Sequence, residues 1–217
     1  MNVLIVAATP AEVQAVIQLL KKQDFRINQK EVSILITGVG GIATTYQLTK
    51  SLAVKTPSYV IQAGIAGSFH AELPIGSLVC VREEMIGDMG AEENKEFKDL
   101  FDLGLMNNND LPFSEKILKN PFIDGQTKHA LPLVRSIGIN EITTREERIK
   151  LLKDKYNPQI ESMEGAAFHY VCLKEKMPFL QIRAISNYVG ERNKDKWDVR
   201  KAVENLNHKL IEILHEI

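Results

Sequence analysis

Short apolar runs alternate with stretches in which apolar residues recur at helical spacing along most of the chain. Residues 3–8 form an apolar run of strand length, and Val13, Val16, Ile17 and Leu20 follow at positions i, i+3, i+4 and i+7 of a helix. The same alternation resumes after residue 131 and continues to the carboxyl terminus. The pattern predicts an α/β fold with a central mixed, twisted β-sheet flanked by helices.

Turn residues and apolar periodicity give approximate bounds for the elements. The predicted strands span 3–8, 32–37, 59–63, 78–85, 133–139, 159–162 and 179–186. The predicted helices follow an N-cap at Thr9, span 42–52, 144–156 and 164–176, and begin again at about 195. Segments 38–41 and 64–67 are predicted glycine loops, and 87–126 is predicted to form loops with short helices that cover a site. No repeat or linker divides the chain, so we expect one domain over 1–217.

Composition and charge narrow the classes of function. Hydrophobic residues make up 44% and charged residues 25% of the chain, and 27 basic against 28 acidic residues leave a net charge of −1. These values are typical of a soluble globular protein and give no reason to expect a nucleic acid or membrane partner. Cys80 and Cys172 lie in apolar runs, so we expect reduced buried thiols, no metal site and no cofactor. Neither a leader nor a membrane span is evident, so we expect a cytoplasmic protein.

Polar groups collect at the predicted carboxyl ends of strands, in segments 8–12, 161–165 and 183–187. Open α/β sheets place their ligand sites at this edge. Each segment also has a purely structural explanation: Thr9 and Glu12 have the spacing of a capping box, and Glu164 is favoured at a helix N-terminus. Arg183 and Asn187 could end a strand in a polar turn. The segments therefore carry little weight singly.

Taken in order, the segments are more specific. They read Ala-Thr-Pro-Ala-Glu-Val, Gly-Val-Gly-Gly, Ala-Gly-Ile-Ala-Gly, Ser-Met-Glu-Gly-Ala-Ala and Arg-Ala-Ile-Ser-Asn. This series resembles the purine nucleosidase and phosphorylase family that includes the methylthioadenosine/S-adenosylhomocysteine nucleosidases. The tail 186–193, with Trp197 after it, is similar to the futalosine hydrolase branch, which removes hypoxanthine from futalosine in menaquinone biosynthesis. The resemblance implies a nucleoside phosphorylase-like fold and a purine nucleoside as the small-molecule partner.

The resemblance also implies roles for individual residues. Glu12 would position the attacking water, Glu164 would hold the ribose hydroxyls with Met163 packed on the sugar, and Asn187 would assist the leaving base. An ionised carboxylate accepts two O–H groups, which suits Glu164 to that role. The candidate catalytic residues are Glu12 and Asn187. The candidate substrate-binding residues are Gly64, Ala66, Gly67, Ile142, Thr143, Met163, Glu164, Arg183, Ser186 and Trp197. Trp197 would either line the pocket for the 5′ substituent or anchor the last helix.

Two departures from the family bear on the reaction. Phosphorylases of the family carry a phosphate-binding arginine two residues before the Gly of the third-strand loop, where this chain has Gln62, so water is the expected nucleophile. The methylthioadenosine enzymes carry an aspartate in place of Asn187, and an amide cannot donate a full proton to a leaving group. Asn187 suits a 6-oxopurine, although a flipped amide would present the opposite pattern.

These residues predict a cofactor-free nucleoside hydrolase that acts on futalosine. The alternatives are a nucleosidase for methylthioadenosine, S-adenosylhomocysteine or aminofutalosine, and a nucleoside-binding protein without turnover. Retention of both Glu12 and Glu164 argues against the last of these, because binding alone needs no carboxylate to activate water. By analogy with related nucleosidases, we expect a homodimer or a higher homo-oligomer.

Overall fold

The computed structural model describes residues 1–94, 96–123, 129–191 and 193–217, and it confirms the single-domain α/β fold. The strands are β1 (Asn2–Ala7), β2 (Arg26–Ile27), β3 (Lys30–Ile36), β4 (Tyr59–Ser68), β5 (Leu78–Ile86), β6 (Gly90–Glu93), β7 (Glu96–Asp99), β8 (Leu118–Lys119), β9 (Leu133–Gly138), β10 (Ile160–Ser162) and β11 (Phe179–Tyr188). The helices are α1 (Gln14–Lys22), α2 (Gly41–Val54), α3 (Glu146–Tyr156), α4 (Gly165–Lys174) and α5 (Val199–Glu216).

One mixed sheet forms the centre of the molecule. Its strands lie in the order β10-β9-β5-β11-β4-β1-β3-β2, with β8 on β5. Strands β1, β3, β4 and β11 run parallel to one another, whereas β5 is antiparallel to β11. Strand β10 pairs with β9 and also with the end of β4, where Glu161 lies opposite Gly67. The sheet therefore curls and brings the end of β10 to the ends of β4 and β11.

Two helical layers cover the sheet because the side chains of β1 alternate between its faces. Val3 and Ile5 pack in one cluster with residues of α1 and α5, whereas Leu4 and Val6 pack in another with residues of α2 and α4. Both faces of β1 are buried, which explains why the strand reads as a continuous apolar run.

The predicted glycine loop at 64–67 is wrong, because these residues continue β4. Their backbone pairs in register with β11, Arg183 opposite Gly64, so the segment has strand partners that local composition does not reveal. The glycines are needed for space. A Cβ atom on Gly64 would lie 2.4 Å from Nη1 of Arg183, so no larger residue fits between the strand and that guanidinium.

The irregular region also differs from the prediction. Its described residues contain the β6–β7 hairpin and the short strand β8 but no helix, and Gln126 at its end lies outside the described residues. The last helix begins at Val199 instead of about 195, because the side chain of Asp198 accepts a hydrogen bond from the amide of Lys201 and caps it. Val199 is exposed, whereas Leu206, Leu210 and Ile213 of the same helix are buried.

Cys80 and Cys172 are buried free thiols, as predicted, and burial raises the pKa of Cys80 to about 12. No helix within the described ranges is long and apolar enough to cross a membrane.

Candidate active site

A cavity of about 260 Å³ opens where β1, β4, β10 and β11 end. Its polar lining comes from three segments that the topology brings together. Those polar residues are Thr9, Glu12, Glu161, Ser162, Glu164, Ser186 and Asn187. Ile65, Ile139, Ile142, Met163, Trp197 and Val203 supply most of the apolar wall. A mainly apolar wall with a few convergent polar groups is typical of a small-molecule site.

Glu12 is buried and held at both carboxylate oxygens. Its Oε2 accepts hydrogen bonds from the amide and hydroxyl of Thr9 at 2.9 and 3.3 Å, and its Oε1 accepts from the amide of Ile65 at 3.2 Å. The capping box is therefore present, and the same carboxylate also lines the cavity. The structural and catalytic interpretations of Glu12 are thus compatible, because the capping bonds fix a carboxylate whose remaining lone pairs can accept from a ligand.

Glu164 occupies the N-cap position of α4, and its carboxylate is held from two sides. Its Oε1 accepts from the amide of Gly40 at 2.9 Å, and Nη1 of Arg183 lies 3.4 Å from its Oε2. Gly40 has a φ of +93°, a conformation that L side chains rarely adopt, and this backbone turn points its amide at the carboxylate. The α2 N-terminus and β11 therefore hold Glu164 against the cavity.

Arg183 lies behind the cavity wall and is not among the residues that line it. Only 1% of its surface is exposed, Nη1 donates to the carbonyl of Ile65 at 3.3 Å, and Nη2 donates to Oε1 of Gln62 at 3.0 Å. Gln62 is thus a buried partner of Arg183. Gln62 stands where phosphorylases of the family carry their arginine. In this chain its side chain holds the guanidinium of Arg183, which is directed at Glu164.

Asn187 follows a register shift in β11 that turns its side chain towards the cavity. Its Nδ2 donates to the carbonyl of Tyr188 at 3.1 Å, and its Oδ1 accepts from the hydroxyl of Ser186 at 2.8 Å. The carbonyl accepts only from an NH₂ group, so these two contacts select one orientation of the amide. One N–H and one oxygen lone pair remain for a ligand.

Glu161 is a third carboxyl of the cavity, and it is absent from the candidates selected by sequence. Its Oε1 accepts from the amide of Thr143 at 3.3 Å, whereas its Oε2 is buried without a hydrogen-bond partner among the described residues. Burial raises the pKa of Glu161 to about 7, against the opposing effects of Thr143 and Arg148. The sequence offered one signal, since Glu161 is a carboxylate near the end of a short strand.

The charged side chains in the described part of the cavity wall are all acidic. Glu12, Glu161 and Glu164 line it, and among the cavity-lining residues that the structure describes none is Lys or Arg. A negatively charged wall stabilises a bound group that becomes positive and disfavours a bound anion.

The structure places most of the predicted residues at this cavity. Glu12, Ala66, Gly67, Ile142, Met163, Glu164, Ser186, Asn187 and Trp197 line it. Gly64 and Arg183 lie behind the wall, and Thr143 lines a neighbouring cavity of about 490 Å³. Trp197 both lines the cavity and donates through Nε1 to the carbonyl of Glu191 at 2.9 Å. Arg192, in the tail used for the resemblance, lies outside the described residues.

Comparison with known proteins agrees with the resemblance. The futalosine hydrolase of Thermus thermophilus is 26% identical over 84% of this chain and 80% of its own length, and that of Streptomyces coelicolor is 30% identical over 80% and 74%. A crystal structure of a mutant Helicobacter pylori methylthioadenosine nucleosidase, with 5′-methylthioadenosine in its active site, has the same fold. The two structures superpose with a TM-score of 0.80 at 18% sequence identity, over 100% of this chain and 99% of the nucleosidase chain. Residues 2–217 match the phosphorylase superfamily, and the chain belongs to it.

Proposed function

We propose that this chain hydrolyses the N-ribosyl bond of futalosine and releases hypoxanthine, the role in cytoplasmic menaquinone biosynthesis that the resemblance implies. One observation carries the proposal: two fixed carboxylates and an oriented asparagine meet in a cavity whose described lining contains no cation. The similarity to two futalosine hydrolases supports the choice of substrate.

Glu12 is the proposed base. The amides of Thr9 and Ile65 hold its two oxygens in place, so the carboxylate needs no rearrangement to accept a proton from water. Water oriented in this way attacks the anomeric carbon of the ribose as the bond to the base breaks. Such a base typically contributes about 10²- to 10⁴-fold in rate.

Glu164 is the proposed ligand of the ribose hydroxyls. Its contacts with Gly40 and Arg183 leave lone pairs that accept O–H groups of the sugar. N-ribosyl cleavage passes through an oxocarbenium-like sugar, whose positive charge is stabilised by the carboxylates around it. Met163 lies beside Glu164 in the wall and supplies an apolar surface for the sugar.

Asn187 is the proposed partner of the leaving base. With its orientation selected by Ser186 and Tyr188, it offers one N–H to the 6-oxo oxygen and one lone pair to a protonated N7. That pattern matches hypoxanthine, whose 6-oxo group accepts hydrogen bonds.

The direct test is a release assay that compares futalosine, aminofutalosine, inosine and methylthioadenosine, without and with inorganic phosphate. We expect free hypoxanthine and free sugar from futalosine at a rate that phosphate does not change, because Gln62 pairs with Arg183 and the described wall supplies no cation for phosphate. Formation of a sugar 1-phosphate, or no cleavage of futalosine, would overturn the proposal.

A second candidate is a nucleosidase for adenine nucleosides. It is favoured by the similarity to the methylthioadenosine/S-adenosylhomocysteine nucleosidase of Bacillus cereus, 26% identical over 86% of this chain. It would require Asn187 to work with a 6-amino group, and faster cleavage of aminofutalosine or methylthioadenosine than of futalosine would establish it.

The proposal includes a homo-oligomer. An apolar cavity of about 910 Å³ lies between α2 and α4, where Ile42 and Tyr46 are 87% and 61% exposed. Ile139 and Met163 line both this cavity and the candidate active site, so a second copy seated there would also close the site. Light scattering is expected to give at least a dimer, and Ile42→Glu is expected to dissociate it. A monomeric wild-type protein at working concentration would contradict this part.

A further inference from the structure

Glu161 is the one carboxyl of the cavity for which the proposed mechanism has no use. It is 4% exposed, lines the cavity, and has one oxygen without a hydrogen-bond partner among the described residues. A buried polar atom without a partner destabilises the folded protein, and it does so more strongly when it is charged. A donor supplied by the ligand would remove that destabilisation in the bound state.

The position of Glu161 suits it to contact the base. A Cβ atom on Gly67 would lie 3.3 Å from Nδ2 of Asn187 and 3.4 Å from Cγ of Glu161, so the two side chains flank one glycine at the cavity wall. On a purine, N7 and N1 lie on either side of the 6-substituent. A base whose N7 and 6-substituent contact Asn187 therefore presents its N1 edge to the neighbouring group.

We propose that Glu161 is a specificity-determining residue that accepts a hydrogen bond from N1–H of a 6-oxopurine. The inference rests on the proposed function for the placement of the base. The N1 of hypoxanthine carries a hydrogen, whereas the N1 of adenine is an acceptor. An ionised carboxylate is an acceptor only, so it binds the first base and repels the second.

The amide of Thr143 makes this discrimination directional. It donates to Oε1, so in the variant Glu161→Gln the amide oxygen takes that position and the NH₂ group replaces Oε2. Two donors then face each other at N1–H of hypoxanthine, while N1 of adenine gains a donor. Glu161→Gln is therefore expected to bind hypoxanthine more weakly than the wild type does and to prefer adenine over hypoxanthine.

Protonation supplies a second test. Burial raises the pKa of Glu161 to about 7, Arg148 of α3 opposes that rise, and Glu12 and Glu164 are the other carboxylates among the described residues that line the cavity. Below that pH the neutral carboxyl can donate to N1 of adenine. The preference for hypoxanthine over adenine is expected to fall as the pH decreases from 8 to 6, and to change little in Glu161→Gln.

The experiment measures dissociation constants of hypoxanthine, 1-methylhypoxanthine and adenine by calorimetry on the full chain. Wild type at pH 8 is expected to bind hypoxanthine about 10- to 100-fold more tightly than 1-methylhypoxanthine, and Glu161→Gln to lose a similar factor for hypoxanthine but not for adenine. The control is Glu146→Gln, an exposed carboxylate on α3 that is expected to leave all three constants unchanged.

Two results would overturn the inference. One is equal affinity of the wild type for hypoxanthine and its 1-methyl derivative, a measurement that needs no variant to fold. The other is an equal loss of hypoxanthine and adenine binding in Glu161→Gln, which would indicate a structural role for Glu161. Wild-type futalosine turnover is measured separately. Its absence refutes the proposed function, whereas turnover with unselective base binding refutes only the role of Glu161.

Discussion

Two buried carboxyls, Glu161 and Glu84, have nearly the same local chemistry and very different surroundings. Each accepts one hydrogen bond at Oε1, from Thr143 and Gln181 respectively, and each has an Oε2 without a partner among the described residues. Burial raises the pKa of both to about 7. Glu161 lines the candidate active site, whereas Glu84 is fully enclosed and absent from the cavity wall.

The enclosed cluster around Glu84 shows that a displaced pKa does not by itself mark a functional residue. His169 contacts the carbonyl of Leu118 at 3.1 Å, and burial lowers its pKa to about 3. His169 lies on α4 itself, and the Glu84 carboxyl packs against the start of that helix, where Gly165 leaves room: a Cβ on this glycine would meet Oε1 of Glu84. Access to a cavity, and not the displaced pKa, distinguishes Glu161 from Glu84.

The largest expected effect is on turnover and concerns Glu12, one of the carboxylates that line the cavity. Glu12→Gln is expected to lower kcat by about 10²- to 10⁴-fold while leaving substrate binding nearly intact, because the amide keeps the shape of the side chain and loses the base. Steady-state kinetics with futalosine measure the change. Glu84→Gln serves as the matched control and is expected to retain kcat within a few-fold. If the kcat of Glu12→Gln stays within a few-fold of the wild-type value, Glu12 only caps the helical turn at Pro10–Val13.

Sequence patterns predicted most of the sheet and the edge at which the site forms, because burial and helical periodicity are local properties. They placed Thr9, Glu12 and Glu164 at strand ends, where the structure has them. The errors come from partners distant in sequence. Residues 64–67 are a strand only because β11 pairs with them, and Glu161 enters the cavity only because β10 pairs with both β9 and β4. Glu161 and Glu84 are both carboxylates near the end of a predicted strand, so that position alone does not distinguish them.

The next effect is on stability and is specific to the enclosed carboxyl. Glu84 has a folded-state pKa of about 7 and an ordinary value of 4.5. Since the raised pKa favours the neutral form, its contribution to stability is fully present below pH 4.5 and is lost as the pH rises through 7. Glu84→Gln removes this loss and is expected to be more stable than wild type by up to about 3 kcal/mol at pH 8, with little difference near pH 4.5.

Denaturant unfolding at a series of pH values measures this difference. Glu83→Gln is the control on the same strand, because Glu83 is more exposed and pairs with Arg135 at 2.9 Å. That variant is expected to show no stabilisation at pH 8. If Glu84→Gln and wild type lose stability in parallel between pH 4.5 and 8, Glu84 is not the group responsible and the comparison with Glu161 fails.

The smallest expected effect is a change in base preference at Asn187. In Asn187→Asp, an oxygen replaces the Nδ2 atom that donates to the carbonyl of Tyr188 at 3.1 Å, and the repulsion between two acceptors favours a protonated carboxyl. The single proton of that carboxyl can be given to N7 of a 6-amino base instead of to the carbonyl of Tyr188, and in its ionised form the carboxylate repels a 6-oxo oxygen. The ratio of kcat/KM for futalosine to that for aminofutalosine is expected to fall by about 10- to 100-fold, the equivalent of one lost hydrogen bond in a buried site.

The control for this change is Asn120→Asp, because Asn120 is also buried and donates through Nδ2 to a backbone carbonyl, that of Phe179 at 2.9 Å, without lining the cavity. It is expected to lower stability and to leave the ratio of the two kcat/KM values unchanged. An unchanged ratio in Asn187→Asp would mean that Asn187 does not distinguish the bases. Selection of the base would then rest on Glu161 alone, and combining Asn187→Asp with Glu161→Gln would change the ratio no more than Glu161→Gln does by itself.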